Sequence, residues 1–549
     1  MSGFPQRFSD RVTRPEAAVF VSGVVSMGLE ILAGRMVAPQ FGSSIYTWGS
    51  IIGVFLAALS LGYYQGGKRA SRRATDERLV RILLATGAFV AVLILAGDLL
   101  LVGLSGFPLP PRFSSLPAVT VLFGPPTYLL GFISPYGAEL SRKESTGAAS
   151  GHVYAVGTIG SIVGAFGATF VLIPALSVSM IGLVFGLLLV VTSLYILSPA
   201  FPRRTVLATV FVAVLLVGAV AVPSAGYSVR GETVYQTQTA YQELVVADLG
   251  DTRTLYLDGQ PHSAMDLEQP NRHVFDYTRY FHLPLLMTDW RNGTAGSNGS
   301  DGPDGGTADA PHESGDVDRV LFIGGGGFTG PKRFANDYDV TVDVVEIDGE
   351  VIRVAEDYFG AEERPDMRVH NAEGRQFLRE TDHTYDLIVL DAYKKDKVPF
   401  QLTTLEFMQL TADRLDEDGV LMANVISAPT GPASQFYRAQ YKTMNEVYPQ
   451  VYSFPTQGGT VVQNVEVIAT KSEERITQKQ LERRNVRRDV GIDLAAEIGD
   501  YRADVETDDV PILTDDKAPV DALLEPNAGR RYVVSQTGNA TTGAGAAAG

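Results

Sequence analysis

The chain has no cysteine among its 549 residues, and it has 7 histidines. The absence of cysteine excludes disulfides, thiolate nucleophiles and thiolate metal ligands. The histidines are scattered without H-E-x-x-H or comparable ligand spacing, so we expect no metal site. The dinucleotide motif G-x-G-x-x-G and the phosphate-binding motif G-x-x-x-x-G-K-S/T are also missing. A dinucleotide or a nucleoside triphosphate is therefore a poor candidate ligand.

The second half of the chain has a large excess of negative charge. Residues 1–223 carry a net charge of +7 and residues 224–549 carry −24, which together give −17. Such an acidic half lacks the basic stripe that nucleic-acid phosphates require, so we expect no nucleic-acid partner.

The first half consists mainly of apolar runs, and a helix needs about 20 such residues to cross a bilayer. Seven spans are predicted, near residues 17–38, 48–64, 79–104, 117–136, 151–174, 177–197 and 206–222. Residues 1–223 are thus expected to form a multi-pass membrane domain in the cell membrane, with the lipid bilayer as a partner. Because the basic loops are cytoplasmic by the positive-inside rule, an odd number of spans favours an exterior second half. The fourth run contains Gly124-Pro-Pro126 and Pro135 and could instead be re-entrant, which would reverse that side.

The second half has its own subdivisions. Residues 224–290 predict a small antiparallel β domain with Asp-Gly turns. Residues 317–535 alternate strands with helices, which predicts an α/β domain with a doubly wound, Rossmann-like sheet. Residues 291–316 and 536–549 are rich in Gly, Ser, Thr, Ala and Asp, so they predict a disordered insertion and a disordered tail.

Two strands of the α/β domain end in acidic residues near a glycine run. A first strand at residues 319–323 precedes Gly324, and the next strand ends in Glu346, 22 positions after that glycine. An acidic residue at this place can accept hydrogen bonds from ribose hydroxyls. A third strand ends in Asp391, and ligands bind at the carboxyl ends of such strands. The pattern favours an adenosine carrying a sulfonium over a sheet core without a ligand.

In their order and spacing, motifs over nearly the whole chain resemble the spermidine synthase family of polyamine aminopropyltransferases, in its integral-membrane version. Those in the second half are Tyr241-Gln242, Leu257-Asp258-Gly259, Gly324 to Gly327, Glu346-Ile-Asp348, Glu373-Gly374, Asp391 and Leu513-Thr-Asp-Asp516-Lys-Ala-Pro519. Those in the membrane half are Gly28-Leu-Glu30 to Arg35, Phe41-Gly-Ser-Ser with Trp48, and Gly157 to Gly164.

The resemblance implies a class I methyltransferase-like sheet and transfer of an aminopropyl group from decarboxylated S-adenosylmethionine to an amine. The donor would be a co-substrate rather than a tightly bound cofactor, methylthioadenosine would be the product, and a homodimer is a further expectation. Asp391 would be the catalytic residue, because a carboxylate must take the proton of the attacking amine. The residues implied for the donor are Gln242, Gly324, Gly325, Gly326, Glu346, Asp348, Glu373 and Gly374.

The chain departs from the family pattern around the amine, at the candidate substrate-binding residues Tyr277, Gly327 and Lys394. Gly327 and Lys394 stand where the family usually has aspartates, and Tyr277 belongs to a tripeptide that replaces a usual Tyr-His-Glu. The loss of acids and the gain of a lysine reduce charge complementarity, so we do not expect putrescine to be bound in the usual way.

Two alternatives stay open. A methyltransferase that uses S-adenosylmethionine would keep the donor site and change the group transferred. A membrane transport or scaffold protein would act through its spans, while the second half binds a nucleoside.

Overall fold

The computed structural model describes residues 13–41, 44–105, 109–141, 146–199, 202–221, 231–239, 241–288, 317–395, 397–488, 490–527, 530 and 532–537. The chain divides into two compact units, residues 1–227 and 228–549. The insertion predicted at 291–316 lies outside the described residues, as does the tail from 538 onward. The predicted start of that tail at 536 is too early, because Gln536 bridges to Phe275 and the Thr537 N–H donates to the Val274 carbonyl.

The described residues of the first unit form helices joined by short connections, with no strand among them. Its long helices are Arg14–Phe41, Ile45–Arg73, Asp76–Ser105, Ser115–Leu140, Thr146–Gly167, Val178–Leu197 and Arg203–Ala221. The fifth continues through a π-helical turn, Ala168–Leu172, into Ile173–Ala175. Seven helices of the described residues are long and apolar enough to cross a membrane, as predicted. The helix Ser115–Leu140, which is one of these seven, runs unbroken through its prolines.

The second unit begins with a small antiparallel sheet in the order β1-β2-β3-β4. Its strands are β1 (Glu232–Gln238), β2 (Glu243–Leu249), β3 (Thr252–Leu257) and β4 (Gln260–Asp266). Asp258 and Gly259, which join β3 to β4, have φ values of 49° and 78°. A two-residue hairpin turn requires positive φ at both positions, which confirms the predicted Asp-Gly turn.

The second unit continues with a seven-stranded sheet in the order β10-β11-β9-β8-β5-β6-β7. The strands are β5 (Arg319–Ile323), β6 (Thr341–Glu346), β7 (Met367–Asn371), β8 (Tyr385–Leu390), β9 (Leu415–Ser427), β10 (Gln450–Pro455) and β11 (Gln463–Thr470). The first five are parallel, and β11 is antiparallel to both β9 and β10. This arrangement confirms the predicted methyltransferase-like sheet.

Helices cover both faces of the large sheet. They are Thr329–Asp337, Gly349–Phe359, Gly374–Glu380, Leu405–Arg414, Gln435–Asn445, Gln478–Arg487, Ala495–Gly499 and Val520–Leu524. Several begin with a side-chain cap, as Asp348 does for Gly349–Phe359 by accepting the Glu350 N–H at 3.2 Å. A 3₁₀ helix, Asp276–Leu286, packs its aromatic side chains on the face that includes Phe322. We call this the aromatic face of the sheet.

Candidate active site

Strand register brings the polar residues of the second unit into one line. Ile323 of β5 is paired with Val345 of β6 and with Leu390 of β8, and Leu390 is paired with Ala423 of β9. The next residue on each of these strands therefore lies one step further toward the carboxyl edge of the parallel strands. Asn424 is in turn paired with Glu466 of β11. The resulting transverse row consists of Glu346, Gly324, Asp391, Asn424 and Glu466.

The side chains of the transverse row share the aromatic face. Successive residues of a strand point to opposite faces, so Glu346 lies on the same face as Val344, and Asn424 on the same face as Met422. Val344 and Met422 belong to the core cluster that also contains Phe281 of the 3₁₀ helix. The row therefore lies beneath that helix.

Glu346 and the glycine run form one end of the site. The Gly325 N–H donates to Glu346 Oε2 at 2.9 Å, and the Asp348 N–H donates to Oε1 at 3.0 Å. Burial raises the pKa of the Glu346 carboxyl, and these two hydrogen bonds oppose the rise. Gly324 has a φ of 98°, and a Cβ atom there would lie 2.3 Å from the Asp391 carbonyl oxygen. Only glycine fits between the two carboxyl-bearing strands.

Asp391 has a strongly raised pKa. Burial raises the pKa of its carboxyl to about 7, a hydrogen bond from Asn424 opposes the rise, and the negative charge of Glu346 adds to it. The Asn424 Nδ2 donates to Asp391 Oδ1 at 2.8 Å. A carboxyl that is half ionised near neutral pH is suited to accept a proton during a reaction.

The amide of Asn424 is itself held in place. Its Oδ1 accepts a hydrogen bond from Asn464 Nδ2 at 2.8 Å, and the Asn464 Oδ1 accepts one from the Tyr532 hydroxyl at 2.8 Å. The oxygen of each amide accepts a hydrogen bond, that of Asn464 from Tyr532 and that of Asn424 from Asn464. The amide nitrogen of Asn424 is therefore the group that faces Asp391. This chain of hydrogen bonds orients the candidate catalytic carboxyl.

Gln242, Asp348 and Lys394 meet in a network between the two sheets. The Asp348 Oδ2 accepts hydrogen bonds from Thr239 Oγ1 at 2.6 Å and from Gln242 Nε2 at 3.3 Å. Lys394 Nζ donates to Gln242 Oε1 and lies 3.1 Å from Asp258 Oδ2. The charge of Lys394 is thus compensated by an aspartate of the β3–β4 turn, a partner that the sequence analysis did not assign.

The remaining glycines of the run serve packing. The Gly327 N–H donates to Ser263 Oγ at 2.9 Å, and a Cβ atom at Gly327 would lie 2.8 Å from the Ser263 Cβ. A Cβ atom at Gly326 would lie 2.7 Å from Ser263 Oγ. Gly327 is therefore buried against the small sheet, and its missing side chain is explained by that contact.

Glu373 and Gly374 lie at the start of a helix. Glu373 Oε2 accepts the Gln376 N–H at 2.8 Å and so caps Gly374–Glu380. A Cβ atom at Gly374 would lie 2.4 Å from Ile323 Cγ2, so this glycine allows the helix to approach β5. Glu373 therefore caps the helix and Gly374 lets it pack on β5, and neither role prevents contact with a ligand.

Tyr277 of the 3₁₀ helix lies close to the transverse row. Its hydroxyl donates to the His262 carbonyl oxygen at 3.1 Å. Burial raises the pKa of Tyr277, and the negative charges of Asp391 and Glu466 contribute to the rise. Burial also lowers the pKa of His262 to about 4, assisted by the charge of Lys394, so this imidazole is neutral.

Sequence reasoning missed Asn424 and Glu466. Both are buried polar residues inside apolar strands, with surroundings Met422-Ala-Asn-Val-Ile426 and Asn464-Val-Glu-Val-Ile468. A carboxylate or amide in such a run is unusual in a sheet core, and this signal could have marked both positions.

Comparison with known proteins places a family domain on this site. Residues 310–479 match the model of the spermine/spermidine synthase domain. A polyamine aminopropyltransferase from Vibrio vulnificus is 34% identical over 151 residues, which are 26% of this chain and 49% of that protein. A probable polyamine aminopropyl transferase from Bifidobacterium longum is 28% identical over 229 residues, 39% of this chain and 50% of that protein. The resemblance stated from the sequence is confirmed for this domain.

The chain spans about half the length of the curated relatives it matches. A solved structure is described as a probable spermidine synthase from Corynebacterium glutamicum. Its match to this chain covers 52% of this chain and 98% of that protein, at 18% identity and a TM-score of 0.37. That structural overlap is too weak to add to the argument. The integral-membrane version of the family is suggested by the apolar helices alone.

Proposed function

We propose that the spermine/spermidine synthase domain at residues 310–479 equips this chain to transfer an aminopropyl group from decarboxylated S-adenosylmethionine to an amine. The observation that supports the proposal most is the pair of carboxyls, Glu346 and Asp391, on either side of Gly324 in the transverse row. One can hold a ribose, and the other has a pKa of about 7, as a general base requires.

Glu346 would accept the ribose hydroxyls of the donor. Each carboxylate oxygen has more than one acceptor site, so the hydrogen bonds from Gly325 and Asp348 leave room for ligand donors. Gly324, having no side chain, would let the donor lie between Glu346 and Asp391 with its sulfonium toward the latter.

Asp391 would take the proton of the attacking amine. The amine nitrogen forms a bond to the propyl carbon next to sulfur, and the carbon–sulfur bond breaks with its electron pair going to sulfur. The sulfonium thereby becomes the neutral thioether of methylthioadenosine. The Asp391 carboxylate takes a proton from the bound ammonium so that the nitrogen lone pair is free to attack, and the positive charge of the sulfonium passes to the product nitrogen as a secondary ammonium. Holding the two reactants in line contributes to the rate because it replaces a bimolecular encounter.

The seven helices would anchor this activity in a bilayer. Their length and composition suit membrane spans. Basic residues at the ends of Ile45–Arg73 and Asp76–Ser105 lie together, and the positive-inside rule then assigns that end to the cytoplasm. Counting seven spans from a cytoplasmic start would place the second unit outside.

The proposal is tested with the full chain in detergent. The protein is given decarboxylated S-adenosylmethionine and a panel of amines, and methylthioadenosine release is followed by mass spectrometry. Asp391→Asn should abolish release while leaving the affinity for methylthioadenosine within a few-fold. The matched control is Asp386→Asn, at the opposite end of β8, where the carboxyl accepts the Asp318 and Arg319 N–H groups and has no contact with the site.

Two outcomes would contradict the proposal. Full activity in Asp391→Asn would show that Asp391 is not the general base. Formation of S-adenosylhomocysteine from S-adenosylmethionine, with no methylthioadenosine from the decarboxylated donor, would instead establish a methyltransferase.

A further inference from the structure

Glu466 is a buried carboxyl. The residue is 0% exposed, and neither of its carboxyl oxygens has a hydrogen-bond partner among the residues that the structure describes. An ionised carboxylate in such a place costs several kcal/mol unless a cation accompanies it. Buried polar groups in native proteins are nearly always paired, so an unpaired one needs an explanation.

None of the three tyrosines described around Glu466 donates a hydrogen bond to it. The three tyrosines lie close to Glu466, and its negative charge contributes to the raised pKa of each one. The hydroxyl of each tyrosine donates its hydrogen bond to another group. Tyr277 donates to the His262 carbonyl, Tyr280 donates to Asp500 Oδ2 at 2.6 Å, and Tyr532 donates to Asn464. Glu466 is therefore a second negative site in aromatic surroundings, which suit a cation with an apolar body.

The register fixes the distance between Glu466 and the reaction centre. Glu466 and Asp391 occupy the same transverse row on strands β11 and β8, with only β9 between them. Adjacent strands are about 4.8 Å apart, so their Cα atoms are about 10 Å apart. A short aliphatic chain with a nitrogen at each end has a length suited to the distance between the two carboxyls.

We propose that Glu466 binds the distal ammonium group of the acceptor amine, while Asp391 takes the proton of its reacting nitrogen. This assignment rests on the proposed aminopropyl transfer, and it makes Glu466 the residue that selects a diamine over a monoamine. Burial raises the pKa of Glu466 well above its usual range, and the charge of Asp391 adds to the rise. An ammonium group beside this carboxyl would favour its ionised form, because an opposite charge within a few ångströms lowers a carboxyl pKa.

The test compares two acceptors that differ only at the far end, 1,4-diaminobutane and 4-amino-1-butanol. The wild type should prefer the diamine in kcat/KM. Glu466→Gln keeps the shape and removes the charge, so it should lower kcat/KM for the diamine by about 10- to 100-fold, the effect of a lost charged hydrogen bond. Activity with the amino alcohol should stay within a few-fold. The affinity for methylthioadenosine should not change, because Glu466 lies at the other end of the row from Glu346.

A matched control is Asp343→Asn, which neutralises a buried carboxyl on the opposite face of β6. That carboxyl is held by His370 Nε2 at 2.9 Å and by the Tyr385 hydroxyl at 3.2 Å. The control should retain the preference for the diamine. Glu466→Leu should unfold at the same or a higher temperature than the wild type, since the substitution removes the desolvation cost of a buried polar group that forms no hydrogen bond with the described residues.

The possible failures are distinguishable. Equal use of both acceptors by the wild type, or an undiminished diamine preference in Glu466→Gln, would leave Glu466 a structural residue and overturn this inference alone. No methylthioadenosine from any amine, in a wild-type protein that methylthioadenosine does not stabilise thermally, would overturn the proposed function together with it.

Discussion

The rate of aminopropyl transfer should follow the ionisation of Asp391. Burial raises the pKa of this carboxyl from 3.8 to about 7. The ionised form accepts the proton, so kcat should rise with pH through that value. About one-tenth of the carboxyl is ionised one pH unit below the pKa and about nine-tenths one unit above, which gives about a tenfold rise from pH 6 to pH 8. An aspartate with an ordinary pKa would be fully ionised over this range and would contribute no pH dependence of its own.

The part of the pH–rate profile in which kcat rises is its acid limb. Two neighbours of Asp391 should move this limb in opposite directions. The hydrogen bond from Asn424 lowers the pKa of Asp391, and the charge of Glu346 raises it. Asn424→Ala should therefore shift the limb to higher pH, and Glu346→Gln should shift it to lower pH. Asn424 acts through Asp391 as a positioning residue, so the position of the limb is the informative readout rather than the absolute rate.

The assay is the initial rate of methylthioadenosine release at saturating donor and amine, between about pH 5.5 and 9. The amine has its own titration, but that contribution is common to the wild type and both variants. A difference between their profiles therefore reports on Asp391. A wild-type profile that is flat from pH 6 to 8, or variants that shift the limb in the same direction, would refute the role assigned to this carboxyl.

Three further results are expected. Glu346→Gln should weaken methylthioadenosine binding by about 1 to 3 kcal/mol in calorimetry, the range for a hydrogen bond to a charged group; unchanged affinity would make Glu346 structural. Lys394→Met should cost about 1 kcal/mol or less of unfolding free energy, because its ion pair with Asp258 is partly exposed; a donor affinity reduced more than tenfold would show that Lys394 contacts the donor. In intact cells, a membrane-impermeant maleimide should label Glu482→Cys, at an exposed position of the second unit. It should not label Ser71→Cys, which lies beside Arg72 and Arg73 at the end of Ile45–Arg73. The reverse pattern would place the second unit in the cytosol.

Features that depend on local sequence were predictable. Seven helices follow from the length of the apolar runs, and the turn at Asp258-Gly259 follows from the residues that tolerate positive φ. The convergence of Glu346 and Asp391 was predictable because the carboxyl ends of parallel strands gather at one edge of a sheet, so acidic residues at strand ends lie close together there. These inferences need only the strand boundaries and the parallel order.

Features that depend on the small sheet were not predictable. Gly327 and Lys394 were interpreted as substrate-binding residues because of the positions they occupy in the family pattern. In the structure, Gly327 packs on Ser263 and Lys394 pairs with Asp258. Both partners belong to a sheet more than 60 residues earlier in the sequence. The contacts arise only when the two sheets pack together, so no local pattern could have indicated them.

The transverse row shows most clearly what tertiary structure adds. Glu466 lies 75 positions after Asp391 in the sequence, and β11 enters the sheet antiparallel, between β9 and β10. The alternation of side chains along β11 shows only that Glu466 and Val465 point to opposite faces of the sheet. Slipping this strand by one residue against β9 would turn Glu466 to the other face and remove it from Asn424, since every side chain changes face in such a slip. The pairing of Asn424 with Glu466 is therefore what turns an isolated acidic residue in an apolar strand into a candidate binding group for the acceptor.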